Sequence, residues 1–333
     1  MFEDSGDFLT KENPVDLLGM ELTIQEVDGV DCTVISMESY IDAMLAALHV
    51  QEDTKVKSPL EKPVHCCCLD GLECNRCWTR KAATKPQRSR FMQGCGSIGW
   101  LVATNRPDLM AVHVRLSQHM ANPTVGAVAA LNRVLQYIAN TKNLCLTVPL
   151  DNNIPDGEWV FYSDSDFAGN KELQNFLRAQ CCSLALHRGV PVFWRAGVSA
   201  SCFACGEIGE AHVDRSSGAA EVYGAGEACK NLLPLKYVAK EFGIPMPQPM
   251  VLNLDATTAV AFMDGTVRRS KLAHIDQTQG WVMVMRDREL FRPQWIRGKD
   301  NLADIGTKLQ GPQLFCPLAD ALLTAVDRVV IVT

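Results

Sequence analysis

The chain has 333 residues, enough for two domains with separate cores. Hydrophobic residues make up 47% and charged residues 21%, as in ordinary globular proteins, and no apolar run is long and clean enough to span a bilayer. The net charge of −6 excludes a uniformly basic nucleic-acid binder, so such a role needs a local basic patch. The acidic N-terminus lacks the basic and apolar regions of a signal peptide, and 14 scattered cysteines suit reduced thiols. Both point to an intracellular protein with no membrane partner.

In chain order, residues 15–27 read as one strand, with Leu17, Leu18, Met20, Leu22, Ile24 and Val27 apolar. Asp28-Gly29 signals a hairpin, and Cys32–Ile35 is the returning strand. Ser36 is the expected cap of a helix over 37–49. From Val50 to about Arg90 the chain turns polar, with Pro59, Pro63 and a cysteine cluster, and reads as a long loop. Residues 95–104 are expected to be helical. A second helix starts with Pro107 at its first position, and a third runs from Asn122-Pro-Thr124 to about Asn140. A strand at Leu144–Val148 follows. The turn-rich Asp151–Gly157 is the expected domain break, leaving a first domain over 1–150 and a second over 151–310.

The second domain opens with the apolar run Trp159–Asp164, which ends abruptly in acid. Strands at Cys181–Leu186 and Val190–Trp194 form a hairpin through His187-Arg-Gly189, and Ala196–Arg215 is a long connection. A helix over 217–231 carries Glu221, with Pro234 expected to interrupt it. A strand at 250–255, helices at 256–263 and 276–288, a strand at Phe291–Ile296 and a segment with Asp304 complete the set. Three adjacent strands followed by helix and strand alternation describe an α/β sheet flanked by helices. The apolar tail from Gln310, 311–333 in the domain scheme, has no evident place.

A carboxylate at the end of a central strand is held rigidly and faces a groove, which suits a metal site. Asp164 and Asp255 both end apolar runs, Glu221 lies on a small-residue helix, and Asp304 lies near a helix start. Two hard divalent ions about 3.5–4 Å apart can clamp the attacking and leaving oxygens of a phosphodiester displacement. Four acids without His or Cys favour Mg²⁺ or Mn²⁺ over zinc. Against this, a lone strand-end Asp is also a turn former, and Asp304 has the position of an ordinary cap.

These residues sit in recognisable motifs. Tyr162-Ser-Asp-Ser-Asp-Phe-Ala-Gly169 resembles the Tyr-Ser-Asp-Ala-Asp-Trp-Ala-Gly signature of the ribonuclease H domain in copia-type LTR retrotransposon Pol polyproteins. Pro191–Trp194, Ser216–Val222, Leu254–Val260, Ser270–Asp276 and Asn301–Lys308 resemble further motifs of that domain, in the same order and at similar separations. Upstream, Leu17–Leu22, Ile35–Leu45, Gly96–Trp100, Asn105–Asp108 and Ala129–Lys142 resemble the end of the family's reverse transcriptase region. The resemblance covers about residues 15–310. It implies a ribonuclease H-like mixed sheet flanked by helices, preceded by a smaller α+β reverse-transcriptase remnant. The polymerase Tyr-x-Asp-Asp is absent, so no polymerase activity is expected.

By that resemblance, Asp164, Glu221, Asp255 and Asp304 are catalytic and hold two Mg²⁺ (or Mn²⁺) ions. The substrate is an RNA–DNA hybrid, cleaved in its RNA strand to 3′-hydroxyl and 5′-phosphate ends. Arg268, Arg269 and Lys271 are candidate phosphate contacts, with Arg297 and Lys299 behind them, and His274 is a further substrate contact. The chain departs from the family at Ala219, at Val222, in the Ala196–Arg215 connection and at Arg178–Cys181, where substrate contacts would lie. Two other readings remain open here. One is a non-catalytic hybrid-binding or protein-binding module. The other is a zinc-stabilised interaction protein built on His65-Cys-Cys-Cys68 and Cys74-Asn-Arg-Cys77, a stretch that free loop thiols also explain.

Overall fold

The computed structural model describes residues 9–51, 54–61, 81–150, 158–166, 177–203, 217–266 and 277–326. The chain divides into two compact units, Met1–Ile154 with Leu309–Thr333, and Pro155–Lys308.

The first unit is built on an antiparallel sheet. Its strands are β1 (Val15–Leu17), β2 (Met20–Val27), β3 (Val30–Ser36), β4 (Leu144–Pro149) and β10 (Thr324–Ala325), in spatial order β1-β2-β3-β4-β10. The apolar run at 15–27 is two strands rather than one. Leu18 and Gly19 adopt φ of 56° and 83°, and the Gly19 amide donates to Asp16 Oδ1 at 3.2 Å. That turn folds β1 back on β2, and the second hairpin turns at Asp28-Gly29. Helices α1 (Glu38–Ala47), α2 (Lys85–Thr104), α3 (Met110–Ser117) and α4 (Val125–Asn140) complete the unit.

Two local expectations are corrected here, and one open segment is placed. The cap of α1 is Met37; the Ser36 hydroxyl only accepts from the Glu38 amide, one residue early for the cap. The polar loop ends sooner than its composition suggests, because Thr84 and Gln87 form a capping box that starts α2 at Lys85. The tail, for which the sequence offers no place, is described to residue 326: α8 (Pro312–Asp320) sets Phe315 edge-on to Tyr137 at 5.6 Å, and β10 pairs with β4.

The second unit holds a mixed sheet of β5 (Trp159–Asp166), β6 (Leu177–His187), β7 (Val190–Phe203), β8 (Met250–Leu254) and β9 (Phe291–Trp295). The spatial order is β7-β6-β5-β8-β9, antiparallel through β7, β6 and β5 and parallel through β5, β8 and β9. Parallel neighbours need crossovers. Helices α5 (Ser217–Glu241), α6 (Thr257–Met263) and α7 (Gln277–Asp287) are carried by them. This is the expected mixed sheet flanked by helices.

The core of this unit packs Phe161, Leu252, Leu254 and Phe291 of the sheet against Val222, Leu232 and Val282 of the helices. Truncating one such Phe to Ala costs about 3–5 kcal/mol. Two more expectations are corrected. Strand β7 extends into the stretch read as a connection, to Phe203. Helix α5 continues through Pro234, which faces solvent, so the carbonyl it leaves without a partner can be hydrated.

Candidate metal centre

Strand β5 is central, between β6 and β8, and its last residues are buried although polar: Ser163, Asp164 and Ser165 are at most 3% exposed. Residues alternate across the sheet, so Ser165 faces α5 while Asp164 faces the other way. Helix α5 approaches closely because Gly224 lacks a side chain; a Cβ there would lie 2.7 Å from Ser165 Cβ. One turn earlier on the same helix stands Glu221, and this close approach brings it to the end of β5. Asp255 follows directly on β8, the parallel neighbour of β5.

Asp164, Glu221 and Asp255 therefore converge, each offering a carboxylate oxygen within 4.8 Å of the others. Asp304 lies in a 3-10 helix, Leu302–Gly306, just beyond β9. Among the described residues it is not part of that three-acid group. Its Oδ1 instead accepts from Lys308 Nζ at 2.6 Å, and Lys308 also faces Asp164 Oδ1 at 3.4 Å.

The supporting residues were not foreseen. Thr307 Oγ1 donates to Asp164 Oδ2 from a fully buried position. Asn301, also fully buried, donates to the Ser163 carbonyl at 3.1 Å, accepts from the Ala303 amide at 3.2 Å and hydrogen-bonds Asp255. Gln180 of β6 donates to the Gly306 carbonyl at 2.6 Å, tying the Asp304-bearing turn to the sheet. Exposed Trp295 donates its indole N–H to the Asp255 carbonyl at 3.0 Å. Gly298 lets the next loop pass close to the Asp255 carboxylate, 3.2 Å from where its Cβ would stand. Asn301, Thr307 and Lys308 lie in the motif around Asp304, and that spacing was the available signal for them.

The electrostatics follow from crowding acids away from water. Burial first, then the charges of Asp164 and Asp255, push the Glu221 carboxyl up to about 9. Burial and Asp164 also raise Asp255 and Asp304. Burial opposes the charge on Lys308, but Asp164 and Asp304 outweigh it and raise its pKa. Within this arrangement, one ammonium faces four acids. The three-acid group offers hard oxygen donors alone, with no His or Cys, in mutual repulsion that a divalent cation relieves. It fits Mg²⁺ or Mn²⁺ rather than zinc.

Of the other expected site residues, Arg268, Arg269, Lys271 and His274 lie outside the described residues, as does the cysteine cluster at 65–77. Arg297 and Lys299 are exposed beside Gly298, with Arg297 paired to Asp300 at 2.9 Å. Among the described residues no helix is long and apolar enough to cross a membrane.

No protein-family model matches the chain. It is similar to the retrovirus-related Pol polyprotein from transposon TNT 1-94 of Nicotiana tabacum, 23% identical over 275 residues, 83% of this chain and 19% of that protein. The Pol polyprotein from transposon RE1 of Arabidopsis thaliana is 27% identical over 213 residues, 64% of this chain and 13% of that protein. Homologues of this chain include retrovirus-related Pol polyproteins of plant transposons. The chain spans less than a fifth of the length of these Pol polyproteins. Among solved structures, the N-terminal RNase H domain of rv2228c from Mycobacterium tuberculosis, 13% identical, matches 50% of this chain and 99% of its own, with a TM-score of 0.30.

Proposed function

We propose that the second unit cleaves the RNA strand of an RNA–DNA hybrid with the help of Mg²⁺ or Mn²⁺. The observation that carries this reading is the convergence of Asp164, Glu221 and Asp255 within 4.8 Å from three separate elements of one sheet-and-helix unit. The kinship with retrovirus-related Pol polyproteins supports it. A divalent ion bound at these acids supplies charge neutralisation for the attacking and leaving oxygens of a phosphodiester hydrolysis.

The chain's own residues do the positioning. Asp164 is fixed at one oxygen by Thr307 and faced by Lys308 at the other. Asp255 is oriented by Asn301 and, through its backbone, by Trp295. Glu221 holds a proton at its carboxyl while the cluster carries its own charges alone, and would give it up to a bound divalent ion. Asp304 takes part through Lys308. Phosphates of the hybrid are received by Arg268, Arg269 and Lys271, with Arg297 and Lys299 behind them, and His274 contacts the substrate nearby. Contacts to the 2′-hydroxyl across the minor groove tell a hybrid from duplex DNA. The first unit is read as the counterpart of the end of a reverse-transcriptase region. The unpaired thiols Cys32, Cys95, Cys145, Cys181, Cys182 and Cys229 support an intracellular setting.

The test is a hybrid labelled in its RNA strand, incubated with the full chain and Mg²⁺ or Mn²⁺. RNA fragments with 3′-hydroxyl and 5′-phosphate ends are expected, with the DNA strand intact. Asp164→Asn should reduce cleavage by about a thousandfold. Hybrid that is bound but never cut would replace the enzyme with a non-catalytic binding module.

A further inference from the structure

Lys308 occupies a place that the motif alone does not explain. The 3-10 helix Leu302–Gly306 delivers its ammonium into the acid cluster, where Nζ spans Asp304 Oδ1 at 2.6 Å and Asp164 Oδ1 at 3.4 Å. The Asp164 side chain is fully buried and that of Lys308 is 36% exposed, so this is not a freely hydrated surface pair. The three acids that converge within 4.8 Å leave Asp304 out, and Asp304 turns to the lysine instead. The cluster thus has two sides. Glu221 and Asp255 converge with Asp164, and Lys308 acts on these two only through space, without a hydrogen bond or ion pair to either. The span from Asp164 to Asp304 already contains a cation.

We infer that Lys308 stands in for a second divalent ion, so that the free enzyme binds one ion at Asp164, Glu221 and Asp255 and keeps the Asp164–Asp304 span charged by a tethered ammonium. The inference rests on reading this unit as a metal-dependent nuclease. Its physical basis is twofold. A second cation placed between Asp164 and Asp304 would stand within a few ångströms of Nζ, and like charges at that range repel strongly where water is scarce. A cation fixed to the chain is also present at an effective concentration that dilution does not lower. Lys308 is therefore a positioning residue that sets the ion count, and Asp304 is its counter-charge.

The test counts Mn²⁺ on the full chain, by loss of the free-ion paramagnetic signal during titration. The wild type should take up one ion per chain. Lys308→Gln should take up two, the second at least about tenfold tighter than any further wild-type uptake. Lys308→Arg keeps the charge and should return to one. In EDTA, Lys308→Gln should melt lower than wild type and gain more from Mn²⁺. If it folds only with metal present, it can be purified in Mn²⁺ and its metal counted by mass spectrometry, with two again expected. Equal ion counts and affinities for wild type and Lys308→Gln would overturn the inference. If those counts are equal while the hybrid is still cleaved, the role of Lys308 alone fails. If Asp164→Asn takes up Mn²⁺ as the wild type does, the metal-dependent reading fails first.

Discussion

Among the described residues, a buried cluster of charged side chains stands out in each unit, and the two are built on opposite principles. In the first unit Arg106, fully buried, pairs with Asp108 through two hydrogen bonds of 2.9 and 2.7 Å. It also donates to the carbonyl and hydroxyl of Thr141, while the Tyr137 hydroxyl donates to Asp108 at 2.7 Å. One positive group meets one negative group, and the neutral Thr141 takes up two further donors. Burial opposes the charge on Arg106, yet Asp108 outweighs it and its pKa is raised. In the second unit one ammonium faces four acids, and Glu221, Asp255 and Asp304 are all raised. Balanced buried charge holds a fold in one arrangement. Unbalanced buried charge is retained at a cost that something bound must relieve.

Removing one acid from each cluster separates the two principles most sharply. Asp164→Asn should nearly abolish hybrid cleavage, by about a thousandfold. The same change removes a repelling charge, so in EDTA the variant should melt no lower than wild type. Asp108→Ala leaves a buried guanidinium without its counter-charge and should cost about 3–5 kcal/mol. Hydrogen exchange of the α4 amides, measured with and without the substitution, reads that loss directly. If Asp164→Asn destabilises the metal-free chain as much as Asp108→Ala does, the proposed contrast is wrong.

The same contrast fixes the sign of a pH dependence. Glu221 holds its proton in the folded chain up to about 9, against 4.5 ordinarily. Between those values the folded chain binds more protons than the unfolded chain, so stability falls as pH rises. Asp255 and Asp304 act in the same direction, since both are raised. Lys308, raised in its turn, stabilises the fold below its ordinary 10.5 and loses that contribution only as pH rises through its folded value, so it does not reverse the trend. Thermal melts in EDTA should therefore shift downward from about pH 5 to about pH 8.5. Saturating Mn²⁺ should flatten the curve. A flat curve in EDTA would mean that the cluster is better hydrated than its burial indicates.

The parts of this site that the sequence announced are those whose position is set locally. Asp164 and Asp255 end apolar runs, so strand geometry alone sends them to the C-terminal ends of the neighbouring strands β5 and β8. Glu221 was legible because a small-residue helix must pack closely on something. Gln180 was not legible, since its buried hydrogen bond to Gly306 spans 126 residues that no linear pattern connects. Asn301 and Thr307 stand in the motif around Asp304, but their bonds to Ser163 and Asp164 span 138 and 143 residues, so the motif marks the residues and not their partners. The tail was opaque for the same reason, because Thr324 meets Thr147 across 177 residues. The early start of α2 escaped notice because polar residues follow its capping box, where an apolar stripe is the usual cue. Pro234 departs from a local rule that its solvent-facing position relaxes.

The smallest of these tests concerns how Glu221 reaches the sheet, which separates the second cluster from the first by its dependence on a close helix-to-strand approach. Gly224 needs no unusual backbone angle; its role is space alone, because a methyl group would press within 2.7 Å of Ser165 Cβ and 3.5 Å of the Asp164 carbonyl. Both are fixed features of the central strand, so α5 must yield. Gly224→Ala should cost about 1–3 kcal/mol as overpacking, partly offset by the better helix propensity of Ala. It should also carry Glu221 outward by a few tenths of an ångström, weakening Mn²⁺ binding and cleavage by about tenfold. Gly280, on α7 with open space around its Cβ position, is the control, and Gly280→Ala should leave both unchanged. Equal effects at the two positions would show that helix propensity, rather than the approach to Ser165, governs the outcome.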